Sequence, residues 1–323
     1  MNLGTNISDI LDISALSIER IKDKKILIWG AWQRGLLYQQ ALADKGIDIE
    51  AYIDSDPKMP QFGAPQKNVL LPSILESNND YYILVALEEH ISVFTYLDKL
   101  GYQEYTDYIY PAKTVSIRGV KHGYSDCYGN YVQGNIGKAT VQLKGNARLI
   151  IGSNVTLADD VTILCGWNSC ITIGSGSLIR RNSYISTAGG SSQITIGQHC
   201  RFGTGLSIVL NIGSSFVCGD DCLFSYDVRV RADHGHAMID RTNKTCTRGP
   251  INTTLGSHVW VGMGVSLLAG TEIGDHCTIG AGSVVQKAFP QNFVTLAGVP
   301  AKIMKENTDW LYDDQATYED YLD

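Results

Sequence analysis

The segment Asp233-His-Gly-His-Ala-Met-Ile-Asp240 gathers two of the chain's seven histidines and two carboxylates within eight residues. An imidazole titrates near neutral pH and a neighbouring carboxylate can orient its ring, so the group suits proton transfer from a weak nucleophile. His236, His234, Asp233 and Asp240 are the candidate catalytic residues. A second chemical pattern lies near the start. Gly30-Ala-Trp-Gln-Arg-Gly35 follows a short apolar run, and Asp54 stands 24 residues after Gly30. A dinucleotide fingerprint places its glycines and its ribose-binding acid at such positions, but Trp32 stands at the middle glycine, where the backbone must approach the pyrophosphate. Gly30, Arg34 and Asp54 are therefore secondary candidates for a nucleotide, beside the reading that this turn is purely structural. His199, His258 and His276 share one turn slot in Gly197-Gln-His-Cys200, Gly256-Ser-His-Val259 and Gly274-Asp-His-Cys277, and read as exposed corners.

The elements that carry these residues fall into two regimes. Of 33 glycines, six lie in residues 1–115 and 22 between Gly145 and Gly298, so composition changes near residue 112. In the first regime strand-like and helix-like segments alternate. Lys25–Trp29, Ile49–Ile53 and Tyr82–Ala86 read as strands, and Gln33–Lys45 and His90–Leu100 as amphipathic helices stopped by Gly46 and Gly101. That alternation implies a small, doubly wound parallel sheet.

The second regime repeats every six residues. Apolar residues stand at 151, 157 and 163; 173, 179 and 185; 196, 202 and 208; 212, 218, 224 and 230; and 255, 261, 267, 273, 279 and 285. Glycine often follows, as in Ile151-Gly, Ile212-Gly and Ile273-Gly, and is expected to supply unusual corner dihedrals. A second small inward slot comes four residues after the apolar one, at Val155, Cys200, Cys222, Val259, Val265, Cys277 and Ser283. Neither a helix nor an alternating strand has this period. A chain turning a corner every six residues does, and three faces would close a coil of 18 residues whose aliphatic column is buried only by stacking. The repeat breaks between Val230 and Leu255, so the histidine segment must project from the coil as a loop over residues 231–254, where function tends to sit.

The stretch from Ile273 to Lys287, with Asp233–Asp240, Gly256-Ser-His-Val-Trp-Val-Gly262 and Ala297-Gly-Val-Pro-Ala-Lys302, resembles the hexapeptide-repeat, left-handed β-helix acyltransferases. The likeness is strongest to sugar O-acetyltransferases of the maltose, galactoside and surface-polysaccharide type, over roughly residues 145–306. The resemblance implies a left-handed coil, a homotrimer and acetyl-CoA held in grooves between subunits. His236 matches the family base, because His236-Ala-Met-Ile-Asp240 reproduces the His-x-aliphatic-x-Asp stretch. The Asp that the family carries two residues earlier is replaced by His234, which keeps His234 as the alternative base. By the same resemblance Met263, Gly280, Ala281 and Ser283 line the pantetheine groove, with Trp260 either near it or packing at a corner. Gln286, Lys287, Lys302 and Lys305 match positions at the nucleotide end, where cations suit phosphates. The first regime resembles the Rossmann-like domains that precede β-helix transferases acting on nucleotide sugars. The expected domains are 1–112, α/β and Rossmann-like; 113–306, the all-β coil; and 307–323, a tail.

Composition narrows the function further. A net charge of -7 gives no general field for nucleic acid. No run approaches the roughly 18 apolar residues of a membrane helix, and Met1–Glu19 lacks the basic and apolar blocks of a signal peptide. A cytoplasmic location and reduced cysteines are expected. No metal is expected: Cys218 and Cys222 lack a second pair at zinc spacing, and the His-x4-His pair of the related β-helix carbonic anhydrases is absent. Three functions follow: O-acylation of a sugar hydroxyl by direct transfer from acetyl-CoA, N-acylation of a nucleotide-linked amino sugar, or a non-catalytic trimeric scaffold.

Overall fold

The structure is a computed structural model of the 323-residue chain. It describes residues 21, 24–31, 33–43, 46–55, 67–77, 80–87, 91–104, 106–110, 114–126, 129–233, 238–247 and 251–322. The chain divides into two compact units. One comprises residues 1–115, 125–130 and 143–147, and the other 116–124, 131–142 and 148–323.

In the first unit, β1 (Lys25–Trp29), β2 (Ala51–Ile53), β3 (Val69–Leu70), β4 (Tyr81–Val85) and β5 (Tyr108–Ile109) form a parallel sheet in the order β3-β2-β1-β4-β5. Helix α1 (Gln33–Ala43) joins β1 to β2, and α2 (Ile91–Lys99) joins β4 to β5. Strands β1 and β4 are continuous apolar runs because both faces are covered: Leu27, Ile28, Ile83 and Leu84 are at most 1% exposed. The order reverses between β1 and β4, and Gly30 stands at the carboxyl end of β1, beyond which such a sheet has its crevice. Here glycine is obligatory twice over. Gly30 has φ +112°, and a Cβ at Gly35 would run into the Gly30 carbonyl.

In the second unit, short parallel strands stack in register into three sheets. On the first face the aligned inward residues are Ile151, Ile173, Ile196, Cys218, Leu255, Ile273 and Phe289. On the second they are Leu157, Ile179, Phe202, Phe224, Val261, Ile279 and Leu296. On the third they are Ile163, Ile185, Ile208, Val230, Leu267 and Val285. All are buried, and each coil completes the core of the next. The aliphatic column is the one the six-residue spacing implies, with one exception. Ile212 is only half-buried and lies in a turn; Phe216 and Cys218 take the inward places of that strand.

Coil length differs from the expected constant value. The register runs Ile151 to Ile173, Ile173 to Ile196, and Ile196 to Cys218, steps of 22, 23 and 22 residues, whereas Leu255 to Ile273 spans 18. The additional residues sit at the corner between the third and first faces, and they are well satisfied rather than slack. Trp167 is 2% exposed, the Ser192 amide donates to Ser169 Oγ at 3.1 Å, and the Ser192 hydroxyl donates to the Asn211 carbonyl at 2.7 Å.

The glycines after the inward residues serve a different purpose from the one the pattern implied. Positive φ occurs two residues later, at Asn154, Gly176, His199, Asp221, His258 and His276. Gly152 is needed because a Cβ there would lie 2.6 Å from the Ser175 nitrogen of the next coil, and at Gly262 it would lie 2.7 Å from the Ala281 nitrogen. Close stacking, not dihedral freedom, selects glycine at these places.

Candidate active site

The corner between the third and first faces positions the site. In successive coils its occupants are Asn211, then Asp233, then Leu268 and Ala269, then Gln286 and Lys287. The loop is an enlarged version of the insertions already present at this corner in the wider coils. Its root is fixed by Asp233, whose Oδ2 accepts from the Asn211 amide at 2.9 Å, while Arg231 Nη2 approaches Oδ1 at 3.8 Å. The Asp233 side chain is 6% exposed.

Arg231, Asp233, Leu268, Ala269, Gln286 and Lys287 line a cavity of about 530 Å³. Three residues singled out from the sequence, Asp233, Gln286 and Lys287, thus share one cleft with two cations, one amide and one acid in its walls. Such a lining suits a polar ligand that carries negative charge. Arg231, Leu268 and Ala269 were not among the sequence candidates. Arg231 directly follows Val230, the last inward residue before the break, and that position was the available signal. His234 and His236 lie outside the described residues.

Beyond the root the loop holds a hairpin, Met238–Asp240 paired antiparallel with Thr245–Thr247. Asp240 closes it: Oδ1 accepts from the Thr242 and Asn243 amides at 2.8 and 3.0 Å, and Oδ2 from Asn243 Nδ2 at 2.8 Å. The Asn243 and Thr242 hydrogen bonds hold its carboxyl below the usual range.

The other candidates lie elsewhere on the coil. Met263, Gly280, Ala281 and Ser283 belong to the corner between the second and third faces. Met263 is 55% exposed, whereas Ser283 is buried and its hydroxyl donates to the Gly280 carbonyl at 2.6 Å and accepts from the Gly298 amide at 3.1 Å. Only the backbone around Ser283 can meet a ligand. Trp260 lies on the second face, half-exposed, with Nε1 donating to Ser225 Oγ at 3.2 Å. Lys302 and Lys305 are exposed on the strand Ala301–Glu306, which pairs antiparallel with Val294–Gly298. Gln286 and Lys287 therefore stand at a different corner from Met263 and Ala281.

In the first unit Asp54 is buried and its Oδ2 accepts from the Ala31 amide at 3.3 Å, closing the turn after β1. Arg34 lies in α1, and its side chain is outside the described residues. The histidine corners also need correction. His199 is exposed as expected, but the His258 side chain is only 20% exposed and stacks against Trp310, with ring centroids 4.3 Å apart.

The comparisons with known proteins agree with this stack of six-residue repeats. Residues 252–287 match the family of the bacterial transferase hexapeptide (six repeats). The match covers 36 of the chain's 323 residues. It is 34% identical over 141 residues to polysialic acid O-acetyltransferase of Escherichia coli O1:K1 / APEC, an overlap covering 43% of this chain and 45% of that protein. It is 32% identical over 138 residues to galactoside O-acetyltransferase of Escherichia coli (strain K12), covering 43% of this chain and 64% of the relative. The solved structure of the polySia-specific acetyltransferase NeuO is similar to 58% of this chain, which covers 81% of it, at 31% identity and a TM-score of 0.48. The chain spans roughly half to under two thirds of the length of these curated relatives. Among the described residues no helix is long and apolar enough to cross a membrane.

Proposed function

We propose that the protein is an acetyl-CoA-dependent O-acetyltransferase acting on a sugar hydroxyl of a glycan. The observation that carries this reading is the cleft at the loop root, where Asp233 meets Gln286 and Lys287 from a coil further along the stack. The names of its relatives, two sugar or polysaccharide O-acetyltransferases, support it. His236 takes the proton as the sugar oxygen attacks the thioester carbonyl, and the thiolate of CoA leaves and is protonated. A backbone N–H stabilises the tetrahedral oxyanion. His234 is the alternative base, with Asp233 at the root or Asp240 in the hairpin supporting the loop. The pantetheine arm runs along the backbone of Gly280, Ala281 and Ser283 beside Met263 and Trp260, with Lys302 and Lys305 toward the nucleotide phosphates. The coil is left-handed and the grooves lie between the subunits of a homotrimer.

A specific observation favours the second reading, an N-acetyltransferase for a nucleotide-linked amino sugar. The strand order of the first unit, the crevice beyond β1 and the Gly30 turn closed by Asp54 are the arrangement a Rossmann-like nucleotide site uses. In this reading Gly30, Arg34 and Asp54 hold the nucleotide.

Release of free CoA from acetyl-CoA, measured over a panel of glycans and nucleotide sugars, tests the proposal. Mild alkali separates the readings, since an O-acetyl ester hydrolyses and an amide does not. His236→Ala should retain acetyl-CoA binding and lose transfer by on the order of 100-fold or more. Near-normal turnover in that variant overturns His236 as the base, and absence of acetyl-CoA binding by the native chain supports the scaffold instead.

A further inference from the structure

A second cluster of chemically capable side chains lies at the corner between the first and second faces. There the positive-φ slot of successive coils is filled by His199, Asp221, His258 and His276, and the rings of His258 and His276 stand 4.9 Å apart. The C-terminal tail brings Asp309 to them. Its side chain is only 8% exposed, with Oδ2 at 2.9 Å from His276 Nδ1 and Oδ1 at 3.6 Å from His258 Nε2. Tyr321 also hydrogen-bonds to Asp309. His258 Nδ1 is 2.7 Å from Asp221 Oδ2, and its Nε2 is 2.9 Å from the Trp310 carbonyl oxygen.

His258 Nδ1 thus faces a carboxylate, while Nε2 faces both the Trp310 carbonyl oxygen and the Asp309 carboxylate, an oxygen-rich position that suits a positive charge. A second imidazole nitrogen converges on the same carboxylate, and the ion-pair partners of Asp221 and Asp309 among the described residues are these histidines. The three ligand atoms lie within 4.8 Å of one another. The two N–O separations, 2.9 Å to Oδ2 and 3.6 Å to Oδ1, are close to the ~3.4 Å between neighbouring donors around an ion with bonds of about 2.0–2.2 Å, with the two oxygens of one carboxylate each turned to one imidazole. Asp221 plays the orienting part that an outer carboxylate plays for a metal-bound histidine.

We propose that His258 Nε2, His276 Nδ1 and the Asp309 carboxylate bind a divalent transition-metal ion of the zinc type, with the Trp310 carbonyl beside the fourth position. The ion fastens the tail to the coil. Imidazole and carboxylate donors suit such an ion better than magnesium or calcium. The buried trio Cys200, Cys218 and Cys222 is the other candidate, and its bonding points to packing. Cys200 and Cys222 donate to the Gly219 and Gly256 carbonyls at 3.2 and 3.3 Å, as Ser177 in the same slot donates to Gly197 at 3.0 Å.

The full chain, treated with chelator and dialysed, is titrated with Zn²⁺ by calorimetry and with Co²⁺ by visible absorption. One ion per chain is expected, with d–d bands but no thiolate charge-transfer band. His276→Asn and Asp309→Asn should each weaken binding at least about tenfold, and Asp221→Asn by about 10–100-fold. Asparagine tolerates the corner conformation, so His276→Asn preserves the coil. Its metal-free melting temperature checks this, and Asp309→Asn, on the tail, tests the same ligand set independently of the coil. Zn²⁺ should raise the melting temperature of the native chain more than that of the variants. The proposal is overturned by absence of saturable Zn²⁺ binding, by binding that neither His276→Asn nor Asp309→Asn weakens, or by a thiolate band that Cys222→Ser abolishes.

Discussion

Cys165 sits in the dry interior of a wide coil, and its thiol donates to the Arg148 and Ser169 carbonyls at 3.4 Å each. Burial pushes this thiol up to about 12. Cys218 is raised as well, by its thiol neighbours Cys200 and Cys222 and by burial. In the unfolded chain a thiol ionises near 8.5. The folded state therefore keeps a proton that the unfolded state loses, and the stability this group contributes is intact below pH 8.5. It erodes as pH rises toward 12, by up to about 1.4 kcal/mol per pH unit for one such group. Urea midpoints measured from pH 8 to 11 should fall less steeply in Cys165→Ala than in the native chain, and parallel slopes would contradict the burial argument. The small inward slot was legible from spacing at Cys200, Cys222 and Cys277. What spacing did not carry is that a thiol or hydroxyl there bonds the next coil's backbone, as Cys277 does to the Gln291 carbonyl at 3.3 Å.

Two kinds of glycine corner the coil, and they should respond differently to a methyl group. Gly152→Ala places Cβ 2.6 Å from a backbone nitrogen of the next coil, which costs about 1–3 kcal/mol as overpacking. Gly264→Ala meets nothing within 4 Å but carries φ +68°, which costs roughly 1–2 kcal/mol as dihedral strain. Combining either with a small-to-large change at the stacking neighbour should therefore couple only in the first case, a difference that denaturation of the double variants measures. The six-residue period made the inward columns readable because their burial repeats with the backbone. Ile212 broke the pattern, since an apolar residue six before Cys218 fits the phase while a wide corner intervenes. Strands Val69–Leu70 and Tyr108–Ile109 were missed because two residues are too few to show alternation. The cleft was half legible: motif order supplied Asp233, Gln286 and Lys287, but only stacking brings Leu268 and Ala269 between them. The partnership of His258 and His276 with Asp309 had no sequence signal, because it depends on where the tail returns.

For the molecule as a whole, the proposed groove between subunits makes assembly part of the active site. Light scattering should give three times the chain mass, and acetyl-CoA should raise the melting temperature of that species. A monomer with full turnover would remove the inter-subunit groove. The tail has its own anchorage, since Arg201 lies over the Tyr312 ring at 4.5 Å while Trp310 donates through Nε1 to the His258 carbonyl at 2.9 Å. Finally, the unequal coils quantise how this chain can change in length. Duplicating or deleting a storey preserves every downstream register only when the number of residues equals the local circumference, which is 18 between Leu255 and Ile273 but 22 or 23 between Ile151 and Cys218. In the coils from Ile151 to Cys218 the surplus over 18 is absorbed at the corner between the third and first faces. That corner is the seam through which the architecture can gain new loops without losing its stack.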